Sequence, residues 1–275
     1  MATARGRRAQ RRNSGSELGA RILVALPAIA FAIFIVAQGG EVFAVGLGLL
    51  GLVCLHELFG LFPQARPARL AGFLGLIGLM AAALYGDRET VLLVFVATLP
   101  LAFFVALAQR PPGGPASLAL TMLGLAWIGL AMAHAVLLRE LPHGDGILVD
   151  VCVGTFVGDT AAMLGGRLFG RRRMSPSVSP NKTWEGLGIG FVVGVAAVWF
   201  AGLYQDWLGG TDALILGAAI AAAAPVGDLF ESLFKREAGV KDSGRLFGAH
   251  GGALDRLDAV LFAVVAGFYV WQSLL

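Results

Sequence analysis

The strongest constraint on this chain is a succession of long apolar runs that almost no charge interrupts. Runs of about 17–25 residues, each enough to cross roughly 30 Å of hydrocarbon at 1.5 Å per residue, fall near 20–37, 41–62, 69–86, 90–108, 116–138, 146–169, 186–205, 213–234 and 253–273. No water reaches that depth, so every backbone N–H and C=O must be satisfied inside a helix or a closed barrel. Barrel strands would alternate with a period of two, and these runs are too long and too uniformly apolar for that. The expected fold is all-α, a polytopic membrane helix bundle of about nine transmembrane helices. Composition agrees. A chain 57% hydrophobic and 14% charged, with mean hydropathy +0.77, is no ordinary soluble domain, where about a quarter of residues carry charge.

Charge orients the bundle. With the N-terminus in the cytoplasm, every Lys and Arg except Arg88 and Arg139 falls on the cytoplasmic side or at the helix ends there, which is the positive-inside bias. Residues 1–19 read as a basic tail suited to anionic lipid heads. Taken instead as part of a cleavable signal peptide, they would remove the first span and turn the basic loops to the wrong side. Cys54 and Cys152 both fall within spans, so they read as small packing residues and carry no disulfide argument.

The chain changes character along its length. Residues 20–140 have short loops and few polar groups within spans, which suggests a scaffold half. Residues 141–275 place Asp150, Asp159, Asp228, Glu231, Asp255 and Asp258 in or at the ends of helices, and add the two longest cytoplasmic loops, 170–185 and 235–252. An acid in lipid costs at least ~2.5 kcal/mol, so it needs a cation, a proton or a cavity. Asp228 and Glu231 share one helical face, and Asp255 and Asp258 repeat that spacing at the start of the next span. Consecutive spans are usually antiparallel neighbours, so these acids are expected to meet near the cytoplasmic surface. Pairing with Lys235 or Arg236 one turn on competes there with a bound cation. All-oxygen donors suit a hard ion, Mg²⁺ before Zn²⁺.

Around the acids stand Lys235, Arg236, Lys241, Arg245 and Arg256, with Lys182 and Arg171, Arg172 and Arg173 on the neighbouring loop. Carboxylates, a divalent ion and many cations together equip a site for a polyphosphate, although positive-inside topology accounts for most of the Arg triplet. Gly251 and Gly252, after His250, permit a close backbone approach, and N–H groups at a helix start attract an anion. In SPNKTWEG at 179–186, Ser179 and Thr183 suit either a helix cap or a phosphate contact, leaving Lys182 to face a phosphate. Gly165 and Gly170 have P-loop spacing, but Arg171 and Arg172 replace the required Lys and Ser/Thr, so no Walker site exists. Glu57, beside His56 near the inner end of the second span, reads as half of a hydrogen-bonded interfacial pair.

The stretch SLFKREAGVKDSGRLFGAHGGALDRLD, Ser232 to Asp258, resembles the signature of the phosphatidate cytidylyltransferases, or CDP-diacylglycerol synthases, with every fixed position filled. DTAAMLGGRLFGRRR from Asp159 and SPNKTWEG from Ser179 agree in order and spacing; Met163 stands where the family often has an aromatic. The resemblance implies a nucleotidyltransferase of phospholipid biosynthesis, converting CTP and phosphatidate to CDP-diacylglycerol and pyrophosphate with Mg²⁺ and room for a second, monovalent cation such as K⁺. It implies a bacterial-type inner membrane with the site facing the cytoplasm, a homodimer and no nucleic-acid partner. On this reading Asp228 and Asp255 are the first metal ligands, with Asp258, Glu231 and Asp159 next. Lys235, Arg236, Lys241 and Lys182 meet phosphates, Asp242 orients Lys241 or touches the nucleotide, and His250 binds phosphate or ribose. Ser179, Thr183, Gly251, Gly252 and Arg256 complete the expected substrate contacts. An ion-coupled transporter would instead place its acids near midplane. A CDP-alcohol phosphotransferase would need a D-G-x-x-A-R run, and the only Asp-Gly, Asp145–Gly146, continues differently.

Overall fold

The computed structural model describes residues 26–244 and 251–275. Its helices are α1 (Leu26–Gln38), α2 (Gly40–Leu61), α3 (Arg69–Tyr85), α4 (Arg88–Ala108), α5 (Pro115–Gly124), α6 (Leu130–Glu140), α7 (Gly144–Phe169), α8 (Trp184–Gly202), α9 (Gly210–Glu237) and α10 (Leu254–Leu274). A π-turn at Leu125–Gly129 joins α5 and α6 into one continuous rod. Among the described residues seven helices are long and apolar enough to cross a membrane, while α1 and α3 are shorter apolar helices. The chain is thus a polytopic membrane helix bundle.

Local signals explain the ends. Asp87 caps α4, its carboxylate accepting from Thr90 N at 2.8 Å, and Pro115 opens α5 at a position whose N–H would lack a partner anyway. Thr183 caps α8 through Gly186 N at 3.1 Å. Two expectations shift. α9 runs on to Glu237, so Lys235 and Arg236 are helical rather than part of the following loop. The loop expected at 170–185 carries an antiparallel hairpin of β1 (Arg173–Ser175) and β2 (Ser179–Thr183). Strands this short and polar leave no alternating pattern in the sequence.

The apolar core of buried side chains is continuous from α2 through α10. In hydrocarbon, however, apolar side chains gain little by leaving lipid, and close backbone packing takes over. α7 and α8 meet almost backbone to backbone, since a Cβ on Gly158 would come within 3.3 Å of the Gly190 carbonyl oxygen and 3.6 Å of Gly194 Cα. By helix order, Arg66, Arg69, Arg110, Arg167, the hairpin, Lys235 and Arg256 belong to one end of the bundle, whereas Arg88 and Arg139 belong to the other. That other end is closed by apolar and ring contacts: His143 stacks on Trp207 at 4.4 Å, and Trp271 Nε1 donates to the Pro142 carbonyl at 2.8 Å. The free cysteines Cys54 and Cys152 pack within α2 and α7.

Candidate active site

The site begins with the approach of α9 to α10. Gly227 has no room for a side chain, because a Cβ there would strike the Asp258 carbonyl oxygen and reach 3.1 Å from Ala259 Cα. The next residue on α9 is Asp228, so this contact sets it level with Asp258. α7 adds Asp159, immediately after Gly158. Asp159, Asp228 and Asp258 lie within electrostatic reach of one another, with Lys182 also close to Asp159.

Two ammonium groups bridge Asp228 and the neighbouring carboxylates Glu231 and Asp255. Lys182 Nζ, at the end of the hairpin, bridges to Asp228 Oδ2 at 2.6 Å, both side chains being partly exposed. Lys235 Nζ lies between Glu231 Oε2 at 2.5 Å and Asp255 Oδ1 at 2.7 Å. The pairing of Lys235 with Glu231 four residues earlier is the i,i+4 geometry a helix favours; the link to Asp255 crosses to α10. Glu231 is completely buried, and its second oxygen, Oε1, has no hydrogen-bond partner.

Asp255 uses its other oxygen to order the chain before α10. Oδ2 accepts from Gly252 N at 2.7 Å, Ser243 N at 2.9 Å and Ser243 Oγ at 2.9 Å. Gly251 adopts φ +81°, a left-handed conformation, and a Cβ there would meet Asp255 Oδ2 at 2.5 Å, which is why glycine is required. The N–H groups expected to face an anion are therefore taken by the chain's own carboxylates. One of those carboxylates was not expected. Glu57, from α2, accepts from Ala253 N at 3.1 Å, Leu254 N at 2.9 Å and Ser243 Oγ at 3.2 Å.

The remaining expected residues separate by location. Lys241 and Asp242 are exposed at the rim of a cavity of about 1250 Å³. Leu52, Val53, Leu61, Phe73 and Ile77 form its apolar walls, while His56, Glu57 and Ser243 lie on its polar side. Arg236 donates from Nε to the Val178 carbonyl at 3.1 Å and from Nη1 to the Val240 carbonyl at 3.2 Å, tying the hairpin to the end of α9. Ser179 sits in β2, paired with Ser175, and Thr183 serves as the α8 cap. Glu185 accepts from the Arg171 and Arg172 backbone N–H groups at 3.0 and 3.1 Å. Arg256 is exposed on α10. His250 and Arg245 lie outside the described residues. Asp150, the other buried acid, is held by Gln205 Nε2 at 3.1 Å toward the opposite end of the bundle.

Among the described residues no three His, Cys, Asp or Glu side chains are gathered tightly enough to enclose an ion as they stand. The donor set still suits a hard cation. It is all oxygen, and it includes the buried, unpartnered Glu231 Oε1.

Carboxylates from three helices, three of them bridged by two lysines, can hold cations that in turn meet an array of negative oxygens. The sequence as a whole points the same way, since a profile described as the cytidylyltransferase family matches residues 19–274. The chain belongs to the cytidylyltransferase family. This cytidylyltransferase is 32% identical over 267 residues to the phosphatidate cytidylyltransferase of Brucella suis, covering 94% of each chain. It is 42% identical over 127 residues to the protein of that name from Haemophilus influenzae, covering 44% of each chain. With the Pseudomonas aeruginosa protein of that name it shares 36% identity over 151 residues, covering 54% of each. The matched stretch thus spans about half the length of those last two relatives.

Proposed function

We propose that this cytidylyltransferase transfers the cytidylyl group of CTP to phosphatidate, giving CDP-diacylglycerol and pyrophosphate, with Mg²⁺, at the cytoplasmic face of a bacterial-type inner membrane. The observation that carries the reading is the meeting of Asp159, Asp228 and Asp258 with Lys182 and Lys235 at one end of the bundle. The cavity beside it supports a lipid substrate, because its apolar walls continue into a rim bearing Lys241. The clustering of acids at one end, rather than at midplane, favours this over a transporter. The reading includes the homodimer as an expectation.

In this reaction a phosphate oxygen of phosphatidate attacks the α-phosphorus of CTP. The new P–O bond forms as the bond to the β-phosphate breaks, and pyrophosphate leaves with the electron pair. The attacking phosphate, with a second pKa near 6, is mostly ionised at neutral pH, so no strong base is required. The obstacle is the meeting of two polyanions. Lys182 and Lys235, which neutralise carboxylates in this structure, turn toward phosphate oxygens when the nucleotide is bound. Lys241 meets the lipid phosphate from the cavity rim. Asp228, Asp258, Asp159, Glu231 and Asp255 would hold Mg²⁺ and any monovalent companion. Bound there, the ion supplies charge neutralisation at the transferring and departing oxygens.

The test is pyrophosphate release from CTP by the purified full chain in phosphatidate micelles. Turnover should require Mg²⁺, stop with EDTA and be lost in folded Asp228→Asn. Folded wild-type protein without such turnover, but moving an ion across liposomes, overturns the reading.

A further inference from the structure

We propose that Glu57 is a positioning residue for the transfer. Its carboxylate, carried by α2, clamps both stems of the segment between α9 and α10 and so fixes the start of α10, from which Asp255 and Asp258 project. The inference rests on the function proposed above for the reaction served, while the clamp itself is a matter of geometry.

Three observations carry it. First, α10 has no capping side chain of its own, so its leading N–H groups need outside acceptors. Glu57 supplies them for Ala253 and Leu254, and a carboxylate there also meets the positive end of the helix dipole. Second, the incoming stem is held by the same group. The Ser243 hydroxyl lies within 3.2 Å of Glu57 Oε2 and 2.9 Å of Asp255 Oδ2, so one hydrogen is shared between the two acids. Third, the backbone is shaped to admit this carboxylate. Gly244 in one stem and Gly252 in the other both lack space for a Cβ because Glu57 carboxylate atoms occupy it. Glu57 is 8% exposed, and a buried charge with one sequence-local role would not need acceptor bonds to two distant stems. Glu57 also lines the cavity with His56 and Ser243, so the clamp forms a wall between the cavity and the carboxylates.

Glutamine at 57 offers one acceptor oxygen and turns an NH₂ group toward backbone donors. In the full chain in phosphatidate micelles, Glu57→Gln is expected to lower kcat by about tenfold to a hundredfold, the range for sub-ångström to 1 Å misplacement. KM for CTP should stay within about threefold, because the nucleotide contacts themselves remain. Amide hydrogen exchange at 252–254 should accelerate in the same variant. Ser243→Ala should give a smaller kcat loss, and the double variant should lose less than the product of the two single losses, because the Ser243 link to Glu57 is counted in both. Folded Glu57→Gln with wild-type kcat, a loss confined to KM, or unchanged exchange at 252–254 each overturns the proposal. If Glu57→Gln does not fold, Gly244→Ala displaces the same carboxylate, and wild-type kcat there overturns it equally. If the wild type itself shows no turnover, the functional reading fails, and the exchange measurement still decides the clamp.

Discussion

Replacing Gly227 by alanine tests whether the contact of α9 with α10 sets the geometry of the site. The added Cβ overlaps the Asp258 carbonyl oxygen and lies 3.1 Å from Ala259 Cα. Carbon pairs rest at about 3.5–4.0 Å, so the Ala259 contact alone requires the helices to part by about 0.4–0.9 Å, and the tighter overlap with the carbonyl oxygen requires more. Both obstacles are backbone, and no side chain can rotate away to relieve them. Overpacking of this kind costs about 1–3 kcal/mol, which should lower the melting temperature measurably. The larger effect falls on turnover. Asp228 follows Gly227 and Asp258 is the residue struck, so the separation widens the gap between two acids directly. A displacement near 1 Å costs up to about a hundredfold, and Gly227→Ala should lower kcat by about tenfold to a hundredfold. Gly188 on α8, with nothing within 4 Å of its would-be Cβ, provides the control. Pyrophosphate release and thermal melting of both variants in the same micelles make the comparison. Gly227→Ala with wild-type kcat, or Gly188→Ala damaged to the same degree, refutes the reasoning.

Lys235→Met should cost about 3–5 kcal/mol and much of the folded yield, because it strands Glu231 and Asp255 without their shared cation; adding Glu231→Gln should recover yield but not turnover. Lys182→Met removes a partly exposed pair worth about 0–1 kcal/mol, so its melting temperature should barely move while pyrophosphate release falls. A stability loss matching that of Lys235→Met would contradict this. At the α4 cap, the Thr90 N–H and hydroxyl hold the Asp87 carboxyl below its ordinary value of 3.8. The stabilisation is present above that value and lost as pH falls through the lower, folded one. The melting difference between wild type and Asp87→Ala should therefore shrink on acidification and be absent below both values.

Most of the helical bundle could be read from the sequence, because a span is a local property: about twenty apolar residues announce it wherever it packs. Asp228, Glu231, Asp255 and Asp258 were legible for a related reason, since a charge in an apolar run is conspicuous. The pairing of Lys235 with Glu231, one turn apart, was legible too, but the pairings between elements were not. Lys182 reaches Asp228 across 46 residues, and only the docking of the hairpin against α9 brings them together. The sequence makes Glu57 an interfacial partner of His56, since its helix shows little else polar nearby. Its real partners are backbone N–H groups almost two hundred residues on, which carry no sequence signal. The glycines at 244 and 252, both shaped around an acid, were the available clue. The π-turn left even less trace, yet it sets Trp127 against Phe230 and Phe234 at 4.8 and 5.7 Å.

Each of two acids follows immediately on a glycine at which its helix closely approaches a neighbour: Asp159 after Gly158, and Asp228 after Gly227. Such a contact acts as a fulcrum. A helix tilting by about 10° about it moves atoms ten residues away, about 15 Å along the axis, by about 2–3 Å, but hardly displaces those beside the pivot. Were the helices to tilt about these contacts, the acids would keep their mutual alignment while the far ends of the same helices moved. Acids placed beside such close helix contacts sit where leverage of this kind is smallest.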